Sequence, residues 1–319
     1  MKLNKKITVV IPCYKVSKQI NSVILSIPEF IDKIIIVDDA CPEKSGALVN
    51  KMQLDKVELI FHEKNKGVGG AVISGFKKAL ELESDIIIKL DGDGQMNPND
   101  IEKLIKPLLY DSADYVKGNR FNDFKALKKM PKIRLFGNSF LSFTIKLASG
   151  YWNIMDPTNG FCAISKHSLC KLNLDKIDNK YFFEIDMLIN LNLLNKVVED
   201  VPLSAIYGDE TSNLNIKRVI LNFPSKILKG LIKRIFYKYY IYNFNMASIY
   251  FLISIPLLLF GLFFGGYRWI IGVMKNTENN SGTIMLAALP IILGIQFLLQ
   301  AISIDINNIP KKLKQYNKS

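Results

Sequence analysis

Two carboxylates and an amide alternate along one short segment, where together they could hold a metal ion. The stretch IIIKLDGDGQMNPNDIEKL, residues 86–104, places Asp91, Asp93 and Gln95 two residues apart, directly after an apolar run. Hard divalent cations such as Ca²⁺ and Mg²⁺ prefer carboxylate and carbonyl oxygens as ligands. The spacing therefore predicts a cation site. Whether it suits calcium or the metal ion of a nucleotide-sugar depends on the surrounding sequence.

A calcium-binding EF-hand loop is one interpretation, because Glu102 falls at the position of that loop's last ligand. The sixth position of an EF-hand needs glycine for its sharp turn, and this chain has Met96 there. Pro98 stands where the loop normally forms a short strand, and a strand-like run rather than a helix comes before it. These three departures argue against calcium binding.

The elements that must position these residues alternate between short β-branched runs and helix-length segments. Such alternation predicts an α/β fold with a mostly parallel sheet, in which ligands bind beyond the carboxyl ends of the strands. The predicted strands are residues 7–12, 33–39, 57–62, 85–90, 161–166 and 197–205, and the predicted helices are 68–82, 98–109, 134–150 and 181–195.

A dinucleotide-binding loop is a second interpretation of the N-terminal half, based on the stretch NKGVGGAVISG. Gly67 and Gly69 match the first two glycines of G-x-G-x-x-G, but Val72 stands at the third. The loop also follows the third predicted strand instead of the first, which argues against a Rossmann dehydrogenase. Its glycines still permit a close backbone approach to a phosphate at a helix N-terminus.

Four motifs occur in order, each at a predicted strand end: VVIPCY, IIIVDDA, NKGVGGA and KLDGDGQ. Together they resemble glycosyltransferase family 2, whose GT-A fold has a Rossmann-like, mostly parallel sheet with flanking helices. The D-x-D-x-Q cluster and the segment MDPTNGF, residues 155–161, resemble the polyprenyl-phosphate (dolichol-phosphate) sugar synthases of that family. The resemblance implies a glycosyltransferase that uses a nucleotide-sugar donor.

The resemblance also implies roles for individual residues. A Mg²⁺ or Mn²⁺ ion held by Asp91, Asp93 and Gln95 would neutralise the leaving diphosphate, and Asp93 is the predicted catalytic member of the set. The other implied nucleotide-sugar contacts are Asp39 on the base with Asp38 as its neighbour, Pro12 and Tyr14 as pocket walls, Lys66 and Gly67 near the base or ribose, and Asp91 and Arg120 near the phosphates.

Two further residues depend on the acceptor. Arg134 resembles the arginine that contacts an acceptor phosphate, although a structural salt bridge is an alternative for both Arg134 and Arg120. Asp186, in YFFEIDM, would be the general base if the acceptor were a sugar hydroxyl. A phosphate acceptor is already ionised and needs no strong base, so for that acceptor Asp186 becomes a structural helix residue.

The positive charge of the chain is concentrated in its C-terminal third. The net charge is +13, and residues 213–319 carry 13 Lys or Arg against two acids, whereas residues 1–212 carry 29 basic and 27 acidic residues. This confinement does not indicate a general nucleic-acid surface. Residues 216–240 mix Lys and Arg with large apolar residues at helical spacing, which predicts a basic amphipathic helix on an anionic membrane. A charged helix packed on the catalytic domain is the alternative.

Two apolar stretches, 247–265 and 283–304, are each long enough to span a bilayer. Lys and Arg flank them on both sides, so the positive-inside rule predicts that both termini and the catalytic domain are cytoplasmic. The predicted domains are a GT-A catalytic domain at 1–212, an interfacial helix region at 213–245, a two-helix membrane hairpin at 246–305 and a basic tail at 306–319. Four cysteines without C-x-x-C spacing fit a reducing compartment.

The combined expectation is an integral protein of the cytoplasmic membrane that moves a sugar, with inversion, from a UDP-sugar or GDP-sugar to an undecaprenyl-phosphate-type lipid. A family 2 transferase that glycosylates a sugar hydroxyl, with Asp186 as base, is one alternative. A non-catalytic membrane scaffold with a degenerate transferase domain is another. The sequence leaves the sugar, the base and the oligomeric state open, a homo-oligomer included.

Overall fold

A computed structural model describes residues 5–121, 132–203 and 216–312 of the chain, without the side chains of residues 132–136, 138 and 216–222. The chain divides into two compact units. The N-terminal unit consists of Met1–Ile232 and Pro310–Ser319, and the C-terminal unit is Lys233–Ile309.

The described part of the N-terminal unit contains one mixed, mostly parallel sheet. Its strands in chain order are Ile7–Cys13 (β1), Lys33–Asp38 (β2), Val57–Phe61 (β3), Ile86–Lys89 (β4), Tyr115–Asn119 (β5), Cys162–Ser165 (β6) and Val198–Pro202 (β7). Their order across the sheet is β3-β2-β1-β4-β6-β5-β7. Strand β6 runs antiparallel to β4 and β5, and the other pairs are parallel.

The helices of this unit connect the strands and cover the sheet. They are Ile20–Leu25 (α1), Ser45–Asn50 (α2), Val68–Glu81 (α3), Ile101–Leu109 (α4), Lys132–Ser149 (α5), Lys166–Leu169 (α6), Phe183–Leu193 (α7) and Ile216–Phe236 (α8), with short 3₁₀ turns at Pro98–Asp100 and Leu174–Lys176. The α8 helix continues from the N-terminal unit into the C-terminal unit.

The central strands are apolar along their whole length because the sheet is covered on both faces. Val9 and Val10 of β1 point to opposite faces, and both are fully buried, as are Ile87 and Ile88 of β4. This double burial explains why the predicted strands showed continuous apolar runs instead of alternation. The first polar side chains appear where these strands end. Because β1, β2 and β4 are parallel, those ends lie at the same edge of the sheet.

The start of α8 packs against α7. Phe223 and Ile227 contact the buried cluster that includes Ile185 and Ile189, and Lys226 forms an ion pair with Asp178. Leu228 and Ile232, 55% and 60% exposed, lie on the other side of the helix. This segment of α8 therefore packs on the catalytic domain through one face, as the alternative in the sequence analysis expects, and presents apolar side chains on another.

The C-terminal unit contains a helical hairpin. After a π-helical turn at Tyr237–Tyr242, the long helices are Met246–Lys275 (α9) and Ser281–Asn307 (α10). The side chain of Asn245 begins α9 with a capping box that includes Ser248. Gly261 faces Ile291 and the backbone of Ala287, where a Cβ would stand 2.6 Å and 2.9 Å away. Small residues of this kind allow close approach of two apolar helices.

Both hairpin helices are long and apolar enough to cross a membrane. In their most apolar 18-residue windows, only 28% of α9 and 6% of α10 is buried. A core helix of a water-soluble protein would bury most of such a window. The apolar side chains of the hairpin instead face outward.

The predicted fold class is confirmed, including the two apolar C-terminal helices. The predicted strands and helices that lie among the described residues agree with the observed ones within a few residues. Strand β5 was not predicted, because its sequence YVKGN contains Lys and Gly. The helix predicted for residues 216–240 ends at Phe236, where the π-helical turn begins. The predicted domain boundaries stay predictions.

Candidate active site

One edge of the sheet gathers the strand ends that carry the candidate site. Cys13 of β1 pairs with Asp38 of β2, and Val10 pairs with Lys89 of β4, so these parallel strands end side by side. Strand β6 runs the other way and begins at the same edge, where Cys162 pairs with Lys89. The D-x-D-x-Q segment therefore meets the loop that precedes β6.

A buried lysine organises the first aspartate of that segment. Lys89 is the last residue of β4, and its Nζ lies 2.8 Å from Oδ1 of Asp91 and 3.3 Å from Oε1 of Glu184. The side chain of Lys89 is 1% exposed, that of Glu184 is 12% exposed, and that of Asp91 is 28% exposed at the rim. We call these three residues the Lys89 cluster.

The charge of Lys89 is stabilised by its two partners. Burial alone would lower the pKa of Lys89, but Asp91 and Glu184 together raise it above its ordinary value. Lys117 on β5 shows the opposite result, since burial lowers its pKa and its Nζ donates instead to the backbone oxygen of Asn159, at 2.7 Å. The Lys89 cluster therefore combines one ammonium with two carboxylates, and it holds Asp91 by one oxygen.

The loop before β6 packs directly on the Lys89 cluster. A Cβ at Gly160 would overlap both Nζ of Lys89 and Oδ2 of Asp91, so only glycine fits there without a shift. Asn159 ties the loop to β5, because its Nδ2 donates to the backbone oxygen of Gly118 at 2.7 Å. The TNGF part of MDPTNGF thus closes one side of the candidate site.

Asp93 and Gln95 follow in a turn beyond the strand. The backbone N–H of Gln95 donates to Oδ1 of Asp93 at 3.0 Å, and Gly94 adopts a positive φ of 78° that favours glycine. Asp93 is half-buried and Gln95 is exposed. In the described ranges no group of three or more His, Cys, Asp or Glu side chains could hold a metal. The D-x-D-x-Q pattern itself supplies two carboxylates and one amide, a hard-oxygen set that suits Mg²⁺ or Mn²⁺ when diphosphate oxygens complete the coordination.

Arg120 forms a bidentate salt bridge with Asp156. Its Nε lies 2.7 Å from Oδ2 and its second guanidinium nitrogen lies 3.1 Å from Oδ1, while Asp156 is fully buried. The salt bridge that was the alternative for Arg120 is therefore present, and it joins the end of β5 to the DPTNGF loop. The phosphate contact predicted for Arg120 stays a prediction.

Asp38 and Asp39 are both buried at the end of β2 and organise different loops. Asp38 accepts from the backbone N–H groups of Cys41 and Gly46, each at 2.7 Å. Asp39 accepts from Nδ1 of His62 at 2.7 Å and, at 2.8 Å, from the backbone N–H groups of residues 66 and 67. Asp39 thus shapes the glycine loop, a role that sequence reasoning did not foresee for it or for His62.

The remaining predicted nucleotide contacts surround this edge. Pro12 lies in β1 opposite Val37, and Tyr14, 43% exposed, follows the strand. Lys66 is exposed, and Gly67 begins α3 with a φ of 87°. A Cβ on Gly67 would stand 2.6 Å from the backbone oxygen of Asn179, so this position requires glycine for both conformation and space.

The first turn of α7 separates its two acids. Glu184 points to Lys89, whereas Asp186 accepts from the backbone N–H of Asp178 at 2.9 Å and from Nδ2 of Asn190 at 3.0 Å. The structure thus brings Glu184, which the sequence analysis did not select, to Lys89, the partner of Asp91. The available signal was Lys89 itself, because a charged lysine inside a buried apolar strand is rarely left without a partner.

Two predicted features lie outside what the structure describes. Arg134 is in α5, but its side chain is not among the described ones, so its predicted contact with an acceptor phosphate stays a prediction. The segment YGDETSNL, residues 207–214, follows the last predicted strand, and its position in the sequence predicts a mobile loop over the site. It also lies outside the described residues.

The sequence is similar to a known protein family and to characterised relatives. The sequence profile of "Glycosyl transferase family 2" matches residues 8–172. A UDP-N-acetylglucosamine–dolichyl-phosphate N-acetylglucosaminyltransferase of Methanococcus voltae is 37% identical over 65% of this chain and 88% of its own length. An undecaprenyl-phosphate mannosyltransferase of Micrococcus luteus is 27% identical over 63% of this chain and 84% of its own length.

A solved structure shares the fold at low sequence identity. It is glucosyl-3-phosphoglycerate synthase from Mycobacterium tuberculosis, in complex with Mn²⁺, UDP-glucose and phosphoglyceric acid. The TM-score is 0.55 at 18% identity, and the match covers 73% of this chain and 80% of that one.

Proposed function

The chain belongs to glycosyl transferase family 2, and from this premise we propose that it is a membrane-anchored, inverting transferase. It moves a sugar from a nucleotide-sugar, in our proposal a UDP-sugar, to the phosphate of a polyprenyl-phosphate lipid of the undecaprenyl-phosphate type. The observation that best supports binding of the nucleotide-sugar donor is the Lys89 cluster. It positions Asp91 at the end of β4, just before Asp93 and Gln95.

The donor diphosphate is the group that these residues suit. Asp91, Asp93 and Gln95 would hold a Mg²⁺ or Mn²⁺ ion, which would neutralise the charge that develops on the departing nucleoside diphosphate. Lys89 keeps Asp91 in one orientation and adds a buried positive charge behind it. The rigid ion pair means that Asp91 needs little rearrangement when a ligand arrives.

The acceptor half of the proposal is supported by Asp186 and by the relatives. Oxygens of Asp186 accept from the backbone of Asp178 and from Asn190, a structural arrangement at the start of α7. A phosphate oxygen is ionised at neutral pH and attacks without a strong base. The relatives in Methanococcus voltae and Micrococcus luteus are named for dolichyl-phosphate and undecaprenyl-phosphate acceptors.

The transfer step is a displacement at the anomeric carbon. A bond forms between a phosphate oxygen of the lipid and the anomeric carbon, while the bond from that carbon to the diphosphate oxygen breaks. The electron pair leaves with the nucleoside diphosphate, and the configuration at the carbon inverts. Arg134 and Arg120 are the proposed contacts for the acceptor phosphate and the donor phosphates, with Asp39, Pro12, Tyr14 and the Lys66–Gly67 loop around the nucleoside.

Membrane anchoring is supported by the outward-facing apolar hairpin and by the exposed Leu228 and Ile232 of the basic helix α8. We propose that the hairpin spans the cytoplasmic membrane and that the catalytic domain and both termini are cytoplasmic. This placement brings the nucleotide-sugar pool and the lipid phosphate to the same side of the membrane.

The test is to incubate detergent-purified full-length protein with UDP- and GDP-sugars, Mn²⁺ and undecaprenyl phosphate, and to detect lipid-linked sugar by mass spectrometry. Undecaprenol, which lacks the phosphate, is the matched control acceptor. We expect product from one donor with the phosphate and none with the alcohol. Donor hydrolysis without lipid product would refute the lipid-phosphate acceptor, and the absence of nucleoside diphosphate binding would favour a non-catalytic scaffold.

A further inference from the structure

The loop end of the hairpin contains an open, groove-like cavity that the proposed transfer reaction does not use. Its volume is about 810 Å³, and α9, α10 and the loop between them line it. Ligand-binding pockets commonly have volumes of roughly 300–1,000 Å³. We call this space the hairpin cavity.

An arginine lines the hairpin cavity. Arg268 belongs to α9, and its Nε is buried with no hydrogen-bond partner among the described residues. Glu278 lines the same cavity, and the ion pairs among the described residues do not include one between Glu278 and Arg268. Arg268 follows the apolar stretch 247–265 toward the loop end of α9, where a long basic side chain can reach the head-group region of a membrane.

The cavity walls change from polar to apolar along the helices. Asn276, Asn279 and Thr283 line its loop end, whereas Ala288 and Ile291 line its far end. From Thr283 to Ile291 the helix rises about 12 Å at 1.5 Å per residue. A ligand that fills this space must therefore have a polar part near the loop and an apolar part along the helices.

Small residues keep this end of the hairpin compact where the cavity opens. A Cβ on Gly265 would stand 3.1 Å from Cβ of Ala287, and a Cβ on Gly272 would stand 3.0 Å from Nδ2 of Asn279. Asn279 in turn donates to the backbone oxygen of Arg268 at 3.3 Å. The loop is thus fastened around Arg268, and the arginine keeps its place in the cavity wall.

From the guanidinium of Arg268 and the polar-to-apolar walls, we propose that the hairpin cavity binds an anionic phospholipid. Arg268 takes the lipid phosphate, and the apolar end takes the start of an acyl chain. A guanidinium matches phosphate or carboxylate oxygens through paired N–H donors, and phosphate is the anion that the head groups of anionic phospholipids present beside their acyl chains. This site rests on the proposed membrane placement of the hairpin but does not depend on the transferase reaction.

The experiment is native mass spectrometry of the purified full-length protein with added phosphatidylglycerol or phosphatidylcholine. We expect one phosphatidylglycerol to bind the wild type in preference to phosphatidylcholine, and Arg268→Gln to weaken it by about 10-fold or more, the loss of a charge-assisted hydrogen-bonded contact. Lys275→Gln removes the same charge from the exposed end of α9 and is the matched control, with binding unchanged.

Two further variants keep the test decisive if Arg268→Gln fails to fold. Glu278→Gln removes the acid from the cavity wall and should tighten phosphatidylglycerol binding, which a purely structural role for Arg268 does not predict. Ala288→Leu narrows the apolar end and should weaken binding while leaving the cation in place. Equal binding by the wild type and all of these variants would overturn the proposal.

An inorganic phosphate arm identifies the source of the phosphate. Millimolar inorganic phosphate should not displace bound phosphatidylglycerol, because it cannot use the apolar end of the cavity. Displacement by phosphate alone would overturn the lipid assignment in favour of a free-anion site. Transferase activity measured on the same samples reports separately on the proposed function.

Discussion

Two buried ion pairs of this protein differ in how completely their carboxylates are satisfied. In the C-terminal unit, Arg234 binds Asp305 with two nitrogens, at 2.8 Å and 3.0 Å, and the hydroxyl of Tyr239 donates to the same carboxylate at 2.6 Å. Asp305 is 2% exposed. In the N-terminal unit, Lys89 bonds one oxygen of Asp91, and Asp91 is 28% exposed.

The difference separates a closed structural contact from one that is open to a ligand. The Arg234–Asp305 pair uses both carboxylate oxygens inside the protein, so it holds the beginning of the C-terminal unit to the end of α10. Asp91 keeps Oδ2 without a hydrogen-bond partner among the described residues, next to Gly160 and at the rim of the strand edge. The comparison predicts that damage to the first pair changes stability and damage to the second changes chemistry.

The largest effect is expected for Asp93→Asn. Loss of one carboxylate from the D-x-D-x-Q set should lower the rate of lipid-linked sugar formation by about 10³-fold, equivalent to about 4 kcal/mol of transition-state stabilisation. Because Asp93 lies in a turn, the midpoint of thermal unfolding should change little. Glu102→Gln, an exposed acid in the first turn of α4, is the matched control and should keep full activity. Full activity of Asp93→Asn would refute the assigned role.

Arg234→Met should act on stability instead. Removing Arg234 takes away both guanidinium hydrogen bonds and leaves Lys238, 3.8 Å from Oδ1 of Asp305, as the cation beside this buried carboxylate. Breaking a buried pair in this way typically costs about 3–5 kcal/mol. Thermal unfolding in detergent should show this loss, whereas turnover per folded molecule should stay near the wild-type value. The double variant Arg234→Met/Asp305→Asn removes the carboxylate charge as well and should recover most of the stability. A large loss of turnover in the folded fraction would contradict a purely structural role for the Arg234–Asp305 pair.

The Lys89 cluster is best tested by removing one charge of each sign. Lys89→Met/Glu184→Gln leaves Asp91 in place and keeps the net charge, so the protein should fold. Without the ammonium that orients Asp91, transfer should fall by about 10–100-fold, which corresponds to about 1.4–2.8 kcal/mol. Glu184→Gln alone keeps the Lys89–Asp91 contact and serves as the control with a smaller loss. An unchanged rate of sugar transfer in the double variant would show that the Lys89 cluster has only a structural role.

The smallest effect is expected for Asp186→Asn. An asparagine can still accept from the backbone N–H of Asp178, and a phosphate acceptor needs no general base, so transfer should fall by less than about 3-fold, within about 0.7 kcal/mol. The measurement is the initial rate with undecaprenyl phosphate at saturating donor. A loss as large as that of Asp93→Asn would mean that Asp186 acts as a base, and it would favour a sugar hydroxyl as the acceptor.

The parts of this molecule that depend on local patterns could be predicted from the sequence. Apolar β-branched runs identified β1 to β4, and the motifs at their ends located Asp39, Asp91 and Asp93 at one edge. The long apolar stretches identified both hairpin helices. These features follow from hydrophobic periodicity and from the order of the motifs along the chain, both of which can be read from a single sequence.

Long-range partners were harder to predict because they depend on packing. Lys89 of β4 and Glu184 of α7 form an ion pair only when strand and helix have packed together. From the sequence alone, Asp186 was therefore selected as the candidate acid of this helix instead of Glu184. For Arg120 the sequence left both a phosphate contact and a structural salt bridge open. The salt bridge to Asp156 depends on the DPTNGF loop, which packs beside β5 in the folded chain. Strand β5 itself was missed since Lys117 and Gly118 break its apolar pattern.

The most direct test of the account is metal-dependent nucleotide binding, measured by titration calorimetry with UDP on the full-length protein. We predict that Mn²⁺ tightens UDP binding by at least about 10-fold in the wild type and in Arg234→Met, and that this gain disappears in Asp93→Asn or with a chelator. These outcomes would assign the open carboxylate cluster to the donor diphosphate. Equal UDP affinity with and without Mn²⁺ in the wild type would contradict the central claim.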